Sequence, residues 1–158
     1  MILLIPVVFL AAVALVLFLL VRSVGAALPG DRHWTGWRRA VVAAAFACAA
    51  TATAAYALGA MALISTVAVA QDGGADSAPF PYDHPCRAQL DGAVDYEVQF
   101  LTLRTVCVME DGSRREVADV SPGVRATAAA SAACAAVSAG IVLASGASRG
   151  RPAGSGRR

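Results

Sequence analysis

The chain has 158 residues, 58% of them hydrophobic and 15% charged, with a formal net charge of +2 and a mean hydropathy of +0.62. Soluble globular domains carry an apolar share nearer ~45–50%, so the composition argues against an ordinary soluble domain and for a membrane protein. All thirteen basic residues are arginine, and with 37 alanines and no lysine this bias reads as GC-rich bacterial coding rather than as a chemistry.

The first apolar segment, Ile2 to Val21, is dense in Leu, Val, Ile and Phe. Such residues insert favourably, and ~20 helical residues cross a hydrocarbon core. Small residues follow it at Gly25, Ala26 and Ala27, as they would at a cleavage site. A cleaved signal, however, has a positive n-region and an apolar core of ~7–15 residues. This segment has no charge before its core, and its core is longer. A retained transmembrane helix over residues 1–22 is therefore expected.

Residues 23–38 form a short loop, and from Arg22 to Arg39 the chain carries Arg22, Arg32, Arg38 and Arg39 against the single acid Asp31. Arginine-rich short loops stay on the cytoplasmic side, which places this loop inside and the N-terminus outside. Trp34 and Trp37 beside Arg38 and Arg39 have the composition of an interfacial membrane anchor.

The second apolar segment, Ala40 to Ala70, predicts a helix over 39–70. It is longer than a crossing needs, so it must tilt or project beyond the bilayer. Ala55 and Gly59 here, and Ala132, Ala136 and Gly140 in the third apolar segment, recur at four-residue spacing. Small residues so spaced let helix backbones approach closely, and the two helices are expected to pack as an antiparallel pair through them. Cys48 and Cys134, inside the same two segments, read as small packing residues.

Between these helices, residues 71–123 hold ten of the eleven acids and four arginines. Such a loop belongs outside, where thiols oxidise, and a disulfide between Cys86 and Cys107 is the expected pairing. A unit of about fifty residues has a marginal core, and closing a loop of this length adds ~3 kcal/mol in the chain-entropy view. The lead-in QDGGADSAPFPYDHP reads as an irregular linker. Its Asp83 and His84, with Cys86, are too few for a metal site.

Tyr96 to Glu110 is rich in strand formers, and Asp111-Gly112 predicts a tight turn into Ser113 to Val120. A second pair, Asp91-Gly92, suggests an earlier hairpin joining 86–90 to 93–97. These signals conflict. A tight first hairpin puts Cys86 opposite Glu97, ten strand residues or ~33 Å from Cys107, whereas a disulfide needs Cα atoms within ~7 Å. The in-out alternation slips at Phe100-Leu101, so the disulfide is kept, the strand is expected to break near residues 100–103, and Asp91-Gly92 becomes a looser turn.

The third apolar segment predicts a helix over 124–146, and residues 147–158 read as a disordered, basic cytoplasmic tail. Three crossings agree with an outside N-terminus and an inside C-terminus.

Chemical signatures are sparse. The histidines are His33 and His84 alone, no phosphate loop, CxxC or nucleophile elbow occurs, and no Asp, Glu, Lys, Arg or His lies within the spans beyond their ends. No enzyme activity, catalytic residue, metal or other cofactor is expected.

The stretch LTLRTVCVMEDGSRREV, followed by a proline and a last apolar segment, resembles uncharacterised small multi-pass membrane proteins of GC-rich, actinobacterial-type bacteria. In those a "PLRTVC…DG" hairpin with a second upstream cysteine precedes the final helix; here Thr102 stands where the proline is frequent. The resemblance covers residues 86–122 and implies a topology without an activity.

The expected architecture is a mainly α membrane protein of three transmembrane helices, with a disulfide-stapled β-hairpin domain between the second and third. The expected role is a non-enzymatic structural or interaction subunit of the bacterial envelope. Its partners would be membrane lipid and another membrane or envelope protein, and no nucleic acid. An accessory subunit of a transport or export assembly is the alternative.

Overall fold

The computed structural model describes residues 4–28, 36–72, 81 and 83–147. Trp34, most of the predicted 71–85 linker and the basic tail lie outside the described residues. In chain order the elements are α1 (Leu4–Ala27), α2 (Trp37–Asp72), α3 (Pro85–Gln89), β1 (Ala93–Gln99), β2 (Arg104–Met109), β3 (Arg114–Val117) and α4 (Pro122–Ala147).

Three helices are long and apolar enough to cross a membrane: Pro6–Ala27, Trp37–Ala68 and Pro122–Ser145. A three-stranded antiparallel sheet of order β1-β2-β3 lies between the second and third of them in sequence. The chain divides into two compact units, one of residues 1–54 and 129–158 and one of residues 55–128.

The first unit joins α1 to the beginning of α2 and the later part of α4. Helix α1 continues through Arg22 and Gly25 to Ala27, past the expected end at residue 22. Pro29 follows, and the residue before a proline is disfavoured in helical backbone. The Ser23 hydroxyl donates to the Ala43 carbonyl at 2.9 Å, which ties α1 to α2. Phe9, Leu10, Leu17 and Phe18 remain about half exposed or more, an apolar surface suited to hydrocarbon rather than water.

Helices α2 and α4 run antiparallel in this unit. Arg38 Nη2 donates to the Val142 carbonyl at 3.3 Å and to the Ser145 hydroxyl at 2.9 Å. The inward face of α4 is made of Ser131, Ala135, Ser138, Val142 and Ser145. The expected packing residues Ala132, Ala136 and Gly140 lie on a neighbouring, exposed face, and a Cβ built at Gly140 meets nothing within 4 Å. The Arg38 contacts set the rotation of α4, and four-residue spacing alone does not choose among the faces of an alanine-rich helix.

In the second unit, Ser121 caps α4: its side-chain oxygen accepts from the Val124 N–H at 3.3 Å, and Pro122 opens the helix. The sheet is a meander. Asp111-Gly112 forms the second turn as the sequence suggests, with Gly112 at φ +78° and the Met109 N–H donating to the Ser113 carbonyl at 2.8 Å. The Asp111 side chain accepts from the Ser113 N–H at 2.8 Å, and hydrogen bonding from Ser113 holds its carboxyl below the usual range.

Residues 91–92 form a turn and the long strand breaks at 100–103, as expected, and the break is sharper than the expected bend. Asp91-Gly92 makes no hairpin, because Pro85–Gln89 is helical. The chain instead reverses at Phe100–Leu103, so the break in the long strand is a complete turn rather than a bend. Leu103, at φ +52°, supplies the left-handed residue this reversal needs. Gly92, at φ +81°, leads into β1, and a register shift follows between Ala93 and Asp95.

Candidate functional site

Alternation along a strand sends successive side chains to opposite faces, so the sheet register sorts the unit into an inner and an outer surface. Tyr96 pairs with Cys107, and Cys107 with Arg115; one step along, Glu97 pairs with Val106, and Val106 with Glu116.

The inner surface is fully committed. Cys86, on α3, and Cys107, on β2, are disulfide-bonded with Cα atoms 5.6 Å apart. Both are wholly buried with Val117, and Leu90, Ala93 and Tyr96 pack around them. His84 caps α3, its Nδ1 accepting from the Cys86 N–H at 3.2 Å, and its ring lies 4.6 Å from that of Tyr96. Burial pushes the His84 imidazole below its ordinary value, while the charge of Asp119 acts in the opposite direction.

A second cluster fastens the sheet to the end of α2. Leu63, Leu103 and Val120 are buried together, with Ala60, Val98 and Val124 against them. The close approach is permitted by Gly59: a Cβ built there would stand 2.7 Å from Leu103 Cδ1. Gly59 thus accommodates a turn of the sheet, a different task from the helix pairing its spacing suggests, and Ala55 is buried four residues earlier.

Beside this cluster, Asp119 Oδ2 accepts from the Thr66 hydroxyl at 2.5 Å and from the Thr105 hydroxyl at 3.0 Å. Thr66 is 3% exposed and Thr105 0%. The Thr105 hydroxyl would carry a desolvation cost without this acceptor, Thr66 also has the Ala62 carbonyl within 3.2 Å, and a charged acceptor makes the stronger bond. No substrate reaches either hydroxyl without opening the unit, so the trio acts as a tie between helix and sheet. Nothing in the sequence marked it, because its members are 14 and 53 residues apart.

The outer surface is the candidate site. Val106 and Val108, half-buried at the centre of β2, are flanked on β1 by Glu97 and Asp95 and on β3 by Glu116 and Arg114. Arg114 pairs with Glu97 at 3.4 Å and Arg104 with Glu116 at 2.8 Å, and Glu116 also receives Arg125 of α4. The Arg125 guanidinium, aided by Arg104, holds the Glu116 carboxyl below the usual range. Exposed pairs of this kind contribute little stability. The outer surface thus has an apolar centre inside a charged rim.

At the β1–β2 turn, Phe100 is 42% exposed and Leu101 90%. The Tyr56 hydroxyl donates to the Phe100 carbonyl at 3.2 Å, which gathers three large apolar side chains at one place.

Of the other residues singled out in the sequence, Trp37 is exposed at the first turn of α2, with Arg38 and Arg39 half-buried behind it. Cys48 and Cys134 meet, their Sγ atoms 2.7 Å apart. Among the described residues, no three His, Cys, Asp or Glu side chains gather as a metal site would require.

No family model, curated protein or solved structure matches this chain.

Proposed function

We propose that the chain is a non-enzymatic integral protein of the bacterial plasma membrane that crosses it three times, with its N-terminus outside, and uses its outer sheet to contact a partner protein of the envelope. The observation that carries this reading is the division of labour within the sheet. One face is used up by the disulfide core and the Asp119 tie, while the other offers Val106 and Val108 inside a rim of Arg104, Arg114, Glu97 and Glu116.

The membrane reading rests on the three apolar helices and on the bare apolar sides of α1. It also accounts for the surplus length of α2. The candidate span Trp37–Ala68 has 32 residues where ~20 suffice, and the excess, with Gly59, Leu63 and Thr66, is the part covered by the sheet and its turn. Phe100, Leu101 and Tyr56 then sit at the outer interface, where aromatic and aliphatic side chains anchor. The disulfide and the acidic loop agree with an oxidising outer compartment, and the arginines of the first loop and tail with a cytoplasmic one.

A second reading, an accessory subunit of a transport or export assembly, is favoured by a cavity of about 430 Å³ lined by Leu19, Val42, Phe46, Val142 and Leu143. Its walls are apolar, as a seat for another membrane helix would be.

Affinity purification in mild detergent, with identification of co-purifying chains by mass spectrometry, tests both. Val106→Asp is expected to remove an envelope partner while the Cys86–Cys107 bond stays intact, because the substitution lies on the opposite face. A transport or secretion component retained by Val106→Asp supports the second reading, and a wild-type chain that purifies alone sinks both.

A further inference from the structure

Two cysteines remain beyond the disulfide of the sheet, and both lie in the first unit. Cys48 is on α2 and half-buried, and Cys134 is on α4 and exposed. Their Sγ atoms are 2.7 Å apart, although 86 residues separate them in sequence. A second, independent contact fixes the register that brings them together. In an antiparallel pair a step forward along one helix is matched by an equal step back along the other, and from Arg38–Ser145 to Cys48–Cys134 the two helices advance and retreat by the same number of residues to within one. The Arg38 clamp and the cysteine pair are thus two points of one alignment. A slip of one helical turn, ~5.4 Å, would separate the thiols beyond bonding reach.

We infer that Cys48 and Cys134 are a redox site, which a lipid-soluble quinone oxidises to an intrachain disulfide joining α2 to α4. The choice of oxidant rests on the membrane reading above, since both residues fall within apolar spans and Cys134 is open to the surrounding hydrocarbon. The chemistry balances. Cys134 gives up its proton and its sulfur adds to the quinone ring. The Cys48 sulfur, losing its own proton, attacks Cys134 Sγ, so the S–S bond forms as the C–S bond breaks. The quinone leaves as the quinol, carrying both electrons and both protons. Thiol–disulfide exchange with a reduced small thiol reverses the state. Oxidation fastens the α2–α4 contact covalently, in a place where small residues and one arginine otherwise hold it.

The test uses the full chain reconstituted in lipid nanodiscs. It is reduced with a mild thiol, exposed to a short-chain quinone with a fully substituted ring, then denatured and alkylated without reductant. Intact-mass analysis and peptide mapping are expected to show Cys48 and Cys134 both unlabelled and linked to each other, beside the Cys86–Cys107 pair. Cys48→Ala and Cys134→Ala should each leave one labelled thiol. In the double variant Cys134→Ala with Ala130→Cys, which moves the thiol one turn, both thiols should be labelled. Quinone-treated wild type with Cys48 and Cys134 still alkylated overturns the quinone step, and a linkage found only between two chains overturns the site. A parallel reaction in detergent with a water-soluble diazene oxidant separates the two premises: linkage there but none with quinone refutes the quinone step and leaves the pair standing. Failure with both oxidants in protein that partitions into membranes refutes the pair and leaves the membrane reading untouched.

Discussion

Asp119 carries more of the second unit's integrity than its surface-like chemistry suggests. Its carboxylate is the acceptor for two buried hydroxyls, Thr66 and Thr105, that reach it from a helix and a strand. Asp119→Ala leaves the Thr105 hydroxyl buried without that acceptor, whereas Thr66 can turn to the Ala62 carbonyl at 3.2 Å, so a loss of about 1–3 kcal/mol is expected. Asp119→Asn retains an oxygen acceptor and should lose clearly less. Protease pulses across a denaturant series on the detergent-solubilised protein measure both; equal losses for the two variants would show that the carboxylate is not acting as this acceptor. His84 provides a pH dependence at the same scale. In the unfolded chain its imidazole takes a proton near its ordinary value of 6.5, whereas burial in the folded unit depresses that value. Between the two values the unfolded state binds more protons, so this contribution to stability is fully present above about pH 6.5 and declines as the pH falls below it. His84→Asn keeps a side-chain oxygen to cap α3 and should flatten the decline between pH 7 and 5.5. A variant with the same slope as the wild type would assign the titration to another group.

Among the elements, the β1–β2 turn is the least ordinary. It places a leucine in left-handed backbone and then buries that leucine against α2. Truncating a buried leucine removes transfer energy and leaves a cavity, so Leu103→Ala is expected to cost about 2–4 kcal/mol. Gly59→Val should cost a comparable amount from the opposite side, because its Cβ alone would press on Leu103 Cδ1. The two should be less than additive when combined, since a shortened residue 103 makes room for the valine, and full additivity in a double-mutant cycle would mean that they do not share one contact. This turn also shows where sequence reasoning stopped. The geometric conflict between Asp91-Gly92 and the cysteine pair was legible, as was the slip at Phe100-Leu101, because both follow from strand rise and period two. That the chain reverses there was hidden, since leucine carries no turn signal and its positive φ is held by burial against Gly59. Helix α3 was hidden for a similar reason: five residues give no periodicity, and its cap is the histidine His84 rather than Ser, Asp or Asn.

For the whole molecule, hydropathy made the three long helices readable, because twenty apolar residues leave few alternatives. It could not select the inward face of α4, where alanine occupies every side, and the meeting of Cys48 with Cys134 depended on that selection. Orientation is a separate matter, governed by charge outside the helices. Residues 71–123 carry ten acids and four arginines, whereas the tail beyond Ala147 carries four arginines and no acid. Arginine resists translocation and acids contribute little, so the tail should remain in the cytoplasm and Ala118, exposed beside β3, should lie outside. In a background where Cys48 and Cys134 are alanine, Ala118→Cys is expected to react with a membrane-impermeant maleimide in intact cells. Ser155→Cys should react only after the membrane is permeabilised. The reverse pattern would invert the topology and put the Cys86–Cys107 pair in a reducing compartment. A pattern with both sites labelled in intact cells would mean an even number of crossings between them, and would require one apolar helix, α4 being the one that separates the two sites, to lie along the membrane rather than across it.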